Sequence, residues 1–354
     1  MSRSSGAPKL SDVAGAAGVS VSTVSKVLNE TGRVSDSTRA RVRETAERLN
    51  FQPNALAQSF ASGKSNLVAI LAEDASELFS AVVIRGAEER LAKHGLGSLV
   101  LDFHEDRSRL AAEIRRLNAR RVDAILVVGT GPGHPHPSIS HEATAPVAYA
   151  FCASDSPADA AFLPDDFGAG KLAAEHLLSI GRRHIAHIGE GAELGAAERT
   201  RGFTAALESA GHALAHPPVL GDWSKEWGYT AMSQLLDSGH PIDAVFCAND
   251  PIAYGAYVAL RTRGRAVPGD VAIIGHDHFL PEPKWRRTEF LTTIDPNLED
   301  LGNSAAGFLI DPASTPSGVH PTPPTLVVGH TTNGVREPRL SFIDELVAVV
   351  DHVT

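Results

Sequence analysis

The chain has 354 residues, 43% of them hydrophobic, and a formal net charge of −10. That length allows two or three domains with a sizeable core, and that charge excludes a general nucleic-acid coat. No apolar run reaches the roughly 18 residues a membrane-spanning helix needs, so no span is expected.

The charge is unevenly spread. Residues 1–64 hold nine Lys and Arg against five Asp and Glu, a net of +4 that leaves −14 for the remainder. This is one basic module on an acidic body, and the body would repel DNA and confine it to the module. Residues 1–9 lack the apolar stretch of a signal peptide, so the expected compartment is the cytoplasm. Cys152 and Cys247 stand far apart without metal-ligand spacing and read as buried thiols in a reducing environment.

The most informative stretch runs from Leu10 to Phe60. Ser11–Asp12 can cap a first helix through Ala17, and Gly18 breaks it. Ser20 can cap a second helix through an orphan N–H of its first turn. Only a tight turn separates the two, which is the helix-turn-helix pattern. Ser35 can cap a third helix reaching about Leu49. Val13, Ala17, Val24, Val27, Leu28, Val42, Ala46 and Leu49 fall at helical spacing and predict one small core. Val21, Ser22, Ser25 and Lys26 remain outside it. Short side chains and one cation near a helix N-terminus suit a major groove.

After Ser62-Gly63-Lys64-Ser65 the pattern becomes strand–helix alternation. LVAILAED, GSLVLDF, VDAILVVGT and APVAYAFC read as strands with helices at 80–94 and 108–118. A second set follows: HIAHIGE, DAVFCAND and VAIIGHD as strands, with helices over 167–180, ERTRGFTAALESAG and PIAYGAYVALRTRG. Two such α/β units predict parallel sheets in two lobes with a cleft between them, and ligands bind at the carboxyl ends of such strands. Asp74, Asn249-Asp250 and Asp277 sit at those ends. By residue chemistry alone, Asp277 serves equally well as a cap, as does Asn249 or Asp250 for the helix at Pro251. GTGPGHPHPSISH (129–141) lacks a nucleotide fingerprint and reads as a surface loop with His134 and His136 solvated. DPASTPSGVHPTPP (311–324) reads as a linker-like crossover.

The motifs DVAGAAGVSVSTVSKVLN, RVSDSTRARV and FQPNALAQSF closely resemble the headpiece of the lactose/galactose-repressor family of bacterial transcription factors. DDFGAGKLAAEHLLSIGRRHIAHIG, RTRGF, CANDPIAYGAYVAL and VPGDVAIIGHD resemble its effector-binding core, a relative of periplasmic sugar-binding proteins. The likeness covers about Leu10 to Thr332. It implies an all-α helix-turn-helix headpiece with a hinge helix (1–63), then a two-lobed periplasmic-binding-protein-like core (64–339). Lobe 1 would take 66–164 and 296–324, and lobe 2 165–293 and 325–339. Beyond the likeness, Ile343, Leu346, Val350 and Val353 fall at heptad spacing and predict a docked terminal helix over 340–354.

The resemblance also implies roles. Val21 and Ser22 would choose bases with Lys26 as third reader. Ser20, Thr23, Ser25, Asn29, Arg33, Ser35 and Thr38 would face phosphates. Asn54, Ala57 and Phe60 would belong to the hinge, with Phe60 standing where the family pushes a Leu into the minor groove. Phe is a known wedge type, so the mechanism is expected to survive. Asp74, Phe79, Arg199, Asn249 and Asp277 would line the effector pocket, and Trp223 would stack on a sugar ring.

Two departures bear on the ligand. Glu77 stands where members often have Asn, and an extra carboxylate disfavours an anionic effector. Gly329-His330 replaces the family's usual closing Arg, so that contact is not carried over. The expected protein is a regulator, most often a repressor, working as a homodimer on a near-palindromic double-stranded operator. It would take a small polar effector such as a sugar, with no cofactor, metal or catalytic residue. A tetramer through the terminal helix is the weaker expectation. A sugar-binding transport protein would carry a signal peptide and no headpiece. An α/β enzyme would show a nucleophile elbow, phosphate loop or metal cluster, and none is present.

Overall fold

The computed structural model describes residues 8–52, 63–104, 106–133, 135–278 and 290–334. These fall into two units, the first running to Asn66 and taking in Arg120–Asp123, the second holding the rest. The hinge positions Asn54, Ala57 and Phe60 lie outside the described residues, as does the terminal helix expected over 340–354.

In the first unit, helices α1 (Leu10–Ala17), α2 (Val21–Leu28) and α3 (Asp36–Arg48) pack around one small core. Val13, Val24, Val27 and Val42 are fully buried, while Leu28 and Leu49 are partly so. The start of α1 corrects the expected Ser11–Asp12 cap. The Lys9 backbone N–H donates to the Asp12 carboxylate at 2.8 Å, so Asp12 acts backward from the third helical position. Gly18 closes the helix at φ 64°, and the Val19 N–H donates to the Ala14 carbonyl at 3.1 Å. Ser20 Oγ accepts the Thr23 N–H at 3.1 Å, which starts α2 immediately after that turn.

The second unit holds two six-stranded sheets. Lobe 1 runs β11–β5–β4–β3–β1–β2, from β1 (Leu67–Ala72), β2 (Gly97–Asp102), β3 (Ala124–Val128), β4 (Val147–Ala150), β5 (Ala160–Pro164) and β11 (Gly318–Thr322). Lobe 2 runs β12–β10–β9–β8–β6–β7, from β6 (Ile185–Glu190), β7 (Val219–Gly221), β8 (Ala244–Cys247), β9 (Ala272–His276), β10 (Thr292–Asp295) and β12 (Thr325–Val327). Both central strands are buried on two faces, which is why VVGT-type runs are continuously apolar rather than alternating.

The helices on lobe 1 are α4 (Leu78–Lys93), α5 (Arg107–Arg120) and α10 (Leu298–Ile310). Those on lobe 2 are α6 (Asp166–Ser179), α7 (Leu194–Ser209), α8 (Lys225–Asp237), α9 (Asp250–Thr262) and the short α11 (His330–Asn333). The chain passes between lobes after β5, β10 and β11, so the cleft lies at the carboxyl ends of the strands.

Three expectations need correction. Segment 311–324 is not merely a linker: after a short 3-10 turn, Gly318–Thr322 adds β11 parallel to β5. Pro321, which has no N–H to donate, is tolerated because β11 is an edge strand. The lobe 2 sheet is not wholly parallel either. β12 pairs antiparallel with β10, since it enters from the cleft where its neighbours end. Finally, His136 is not solvated: its side chain is 15% exposed, with Nε2 3.3 Å from a Glu73 carboxylate oxygen and its ring edge-on to Phe103. His134 lies outside the described residues. Cys152 and Cys247 are buried and unpaired to each other.

Candidate functional site

The first candidate surface is the N-terminal half of α2. Val21 is 47% exposed. Ser22, Lys26 and Asn29 are also exposed, and Ser25 is half-buried. Ser20 and Thr23 pair their hydroxyls at 2.8 Å, and Ser35 and Thr38 do so at 2.9 Å. Each serine also caps its helix, with the Thr38 N–H donating to Ser35 Oγ at 3.4 Å. These residues therefore fix helix starts and mark the positive ends of two helix dipoles. Arg33 is exposed in the loop between α2 and α3. An apolar contact at Val21, a hydroxyl at Ser22 and a cation at Lys26 can reach thymine methyls and base edges in a major groove.

The second candidate is a cavity of about 500 Å³ between the lobes. Its polar centre is Arg199, 7% exposed on α7. The guanidinium Nε lies 3.5 Å from the Asp166 carboxylate, Nη1 lies 3.8 Å from Asp277, and the guanidinium stands 5.3 Å over the Trp223 ring. His276 joins the group through Nδ1, which is 2.6 Å from Arg199 Nη1 and 2.7 Å from Asp277 Oδ1. One ring nitrogen cannot accept from a guanidinium and donate to a carboxylate at once, so the tautomer decides which of these contacts is a hydrogen bond.

Backbone geometry holds these groups in place. Asp277 has φ 101°, a strained value for a residue with a side chain, and its N–H donates to the Ile294 carbonyl at 2.9 Å. Burial pushes the Asp166 carboxyl up, against the pull of Arg199. Beneath Arg199, His187 is fully buried and contacts the Phe246 carbonyl and the Thr200 hydroxyl. Burial pulls its pKa down to about 4 and keeps it neutral.

On lobe 1 the wall is Phe79 and Phe151, with ring centroids 6.3 Å apart. Glu77 also lines the cavity, but its carboxylate caps α4 by accepting from the Ser80 N–H at 2.8 Å. On lobe 2, Trp223 donates its indole N–H to Glu193 at 3.3 Å. Asn249 lines the cavity while its amide is held structurally: Oδ1 caps α9 through the Ile252 N–H at 2.8 Å, and Nδ2 donates to the Trp223 carbonyl at 3.1 Å.

Phe79, Arg199, Trp223, Asn249 and Asp277 thus converge on one cavity. Asp74 does not. Its carboxylate accepts from the Ser76 N–H at 2.9 Å and the Ser76 hydroxyl at 2.6 Å, and these bonds hold its pKa low. Asp166, His276, Phe151 and Glu193 were missed. Asp166 was foreshadowed by the Asp165-Asp166 doublet, since Asp165 alone caps α6 through the Gly168 N–H. Among the described residues, no group of three or more His, Cys, Asp or Glu is placed to hold a metal ion, and no helix is long and apolar enough to cross a membrane.

Two family models match successive parts of the chain. Residues 9–54 match the model of bacterial regulatory proteins of the lacI family. Residues 64–322 match the periplasmic binding proteins and sugar binding domain of the LacI family. The chain is 33% identical to the HTH-type transcriptional regulator DegA of Bacillus subtilis (strain 168), covering 91% of this chain and 97% of that protein. It is 31% identical to the ribose operon repressor of Escherichia coli (strain K12), covering 87% and 94%. Among solved structures, the Lac repressor dimer bound to operator and the anti-inducer ONPF superposes with TM-score 0.71 at 24% identity, covering 92% and 99%. The transcriptional regulator CelR–cellobiose complex superposes with TM-score 0.58 at 26% identity, covering 92% and 99%.

Proposed function

The chain belongs to the lacI family of bacterial regulatory proteins, and from that premise we propose that it is an effector-controlled transcriptional repressor acting as a homodimer on a near-palindromic operator. The observation that carries this reading is the presence, in one chain, of a capped and exposed α2 face and a separate cavity with a buried Asp166–Arg199–Asp277 cluster. A DNA-reading helix alone would suit any DNA-binding protein. The cavity adds the means to regulate it.

In this reading Val21, Ser22 and Lys26 meet base edges, and Arg33 meets the backbone. Ser20, Thr23, Ser25, Asn29, Ser35 and Thr38 set register on the phosphates. Asn54, Ala57 and Phe60 enter the central minor groove. Arg199, Asp277, Asn249, Trp223 and Phe79 hold a small polar effector, with a sugar or related metabolite the best fit to aromatic faces beside charged groups. No cofactor is needed, and the protein works in the cytoplasm beside its operator. Closing the cleft alters how the two headpieces pair, a coupling of typically about 1–3 kcal/mol.

Selection of the purified protein from a random duplex library tests this reading. An enriched palindrome is expected. Enrichment of a single asymmetric site would overturn the dimer, and no enrichment by folded protein at low salt, with or without candidate sugars, would overturn DNA reading itself.

A further inference from the structure

The charge inside the cavity is unbalanced. Glu77, Asp166, Glu193 and Asp277 bring four carboxyl groups to its lining, against one guanidinium, that of Arg199. Glu77 and Glu193 stand at partly exposed or exposed positions where water screens them. Asp166 does not: its side chain is 9% exposed, and its contact with Arg199 Nε is long at 3.5 Å. Arg199 Nε itself is buried without a hydrogen-bond partner. A carboxylate buried this far needs donors or positive charge close by, and Arg199 is shared with Asp277 and the Trp223 face. Across the cavity, Phe79 and Phe151 offer ring surface, which attracts cations through its quadrupole.

We propose that the effector carries a protonated amine on a polar, sugar-sized body, and that Asp166 receives the ammonium group. This deepens the reading that the cavity is the effector site and rests on it. A phosphorylated ligand would meet more like charge than opposite charge, since Arg199 is the one cation among the lining residues. A neutral polyol would satisfy hydrogen bonds yet leave the excess negative charge uncompensated, in a setting where Coulomb interactions are stronger than in water.

The test uses matched probes on the full-length protein by titration calorimetry, at low salt and slightly acid pH: glucose, glucosamine and glucose 6-phosphate, and galactose with galactosamine. The amine of at least one pair should bind about tenfold or more tighter than its neutral parent, with no binding of the phosphate. Asp166→Asn, nearly equal in shape, should remove that preference while operator binding stays intact as a control for folding. A neutral parent that binds as tightly as its amine would overturn the inference alone, as would an Asp166→Asn protein that keeps the amine preference. No heat with any probe would overturn the sugar-sized effector reading itself, and the inference with it.

Discussion

Gly170 on α6 lies against the backbone carbonyl of Arg199 on α7, so close that a Cβ at 170 would collide with it. The contact is reciprocal, because a Cβ at Gly202 on α7 would collide with the Phe167 carbonyl of α6. Two glycines thus set the distance at which α7 delivers Arg199 to the cavity. Gly170→Ala should destabilise the core by about 1–3 kcal/mol through overpacking, even though helix propensity alone favours Ala by up to about 1 kcal/mol. Urea unfolding measures the net sign, and a neutral or stabilising result would show that the helices separate without cost.

Lys26→Ala should weaken operator binding and lower the magnitude of the log–log salt slope by about 1, since a cation at the DNA and the counterion it displaces are lost. Anisotropy titrations at several salt concentrations measure both. An unchanged slope would remove Lys26 from the docking face.

Asp277→Asn removes a charge from the Arg199 cluster without touching α2. The expected protein binds operator normally when no effector is present and loses its effector response by about tenfold or more, consistent with loss of a charge-assisted contact. Loss of operator binding as well would reassign Asp277 to folding, a role its strained backbone at φ 101° also permits.

His187 sets a pH dependence of definite sign. Its pKa is about 4 in the folded chain, below its ordinary value of 6.5. The unfolded chain therefore binds a proton at a higher pH than the folded one. The stabilisation is complete above about pH 6.5 and is lost as pH falls toward 4, by up to about 3 kcal/mol. Denaturant midpoints from neutral to acid pH should fall more steeply in the native protein than in His187→Gln. Parallel curves would contradict the assignment.

Much of the headpiece was legible because its signals are local. Ser20 and Ser35 cap within three residues, and Gly18 turns where its own φ demands a glycine. The cavity was half legible. Asn249 and Asp277 carry chemistry at strand ends, and Arg199 and Trp223 were reached through the family likeness, but Asp166 and His276 acquire meaning only when α6 and β9 meet across the fold. Asp74 stands off the cavity lining, its carboxylate engaged by Ser76 two residues on. Helix α10 was overlooked rather than hidden. Its Leu298, Leu301, Ala305 and Leu309 fall at helical spacing on the buried face, beside the close-packing Gly302, but no motif drew attention to the segment.

The most direct test of the account is an operator titration at increasing effector concentration. With the selected palindrome and a ligand shown to bind the cavity, the account predicts a change in operator affinity of about 5–150-fold, and a reciprocal change of the same factor in effector affinity when operator is present. An operator affinity that stays constant while the cavity fills would contradict it, leaving two independent binding modules on one chain.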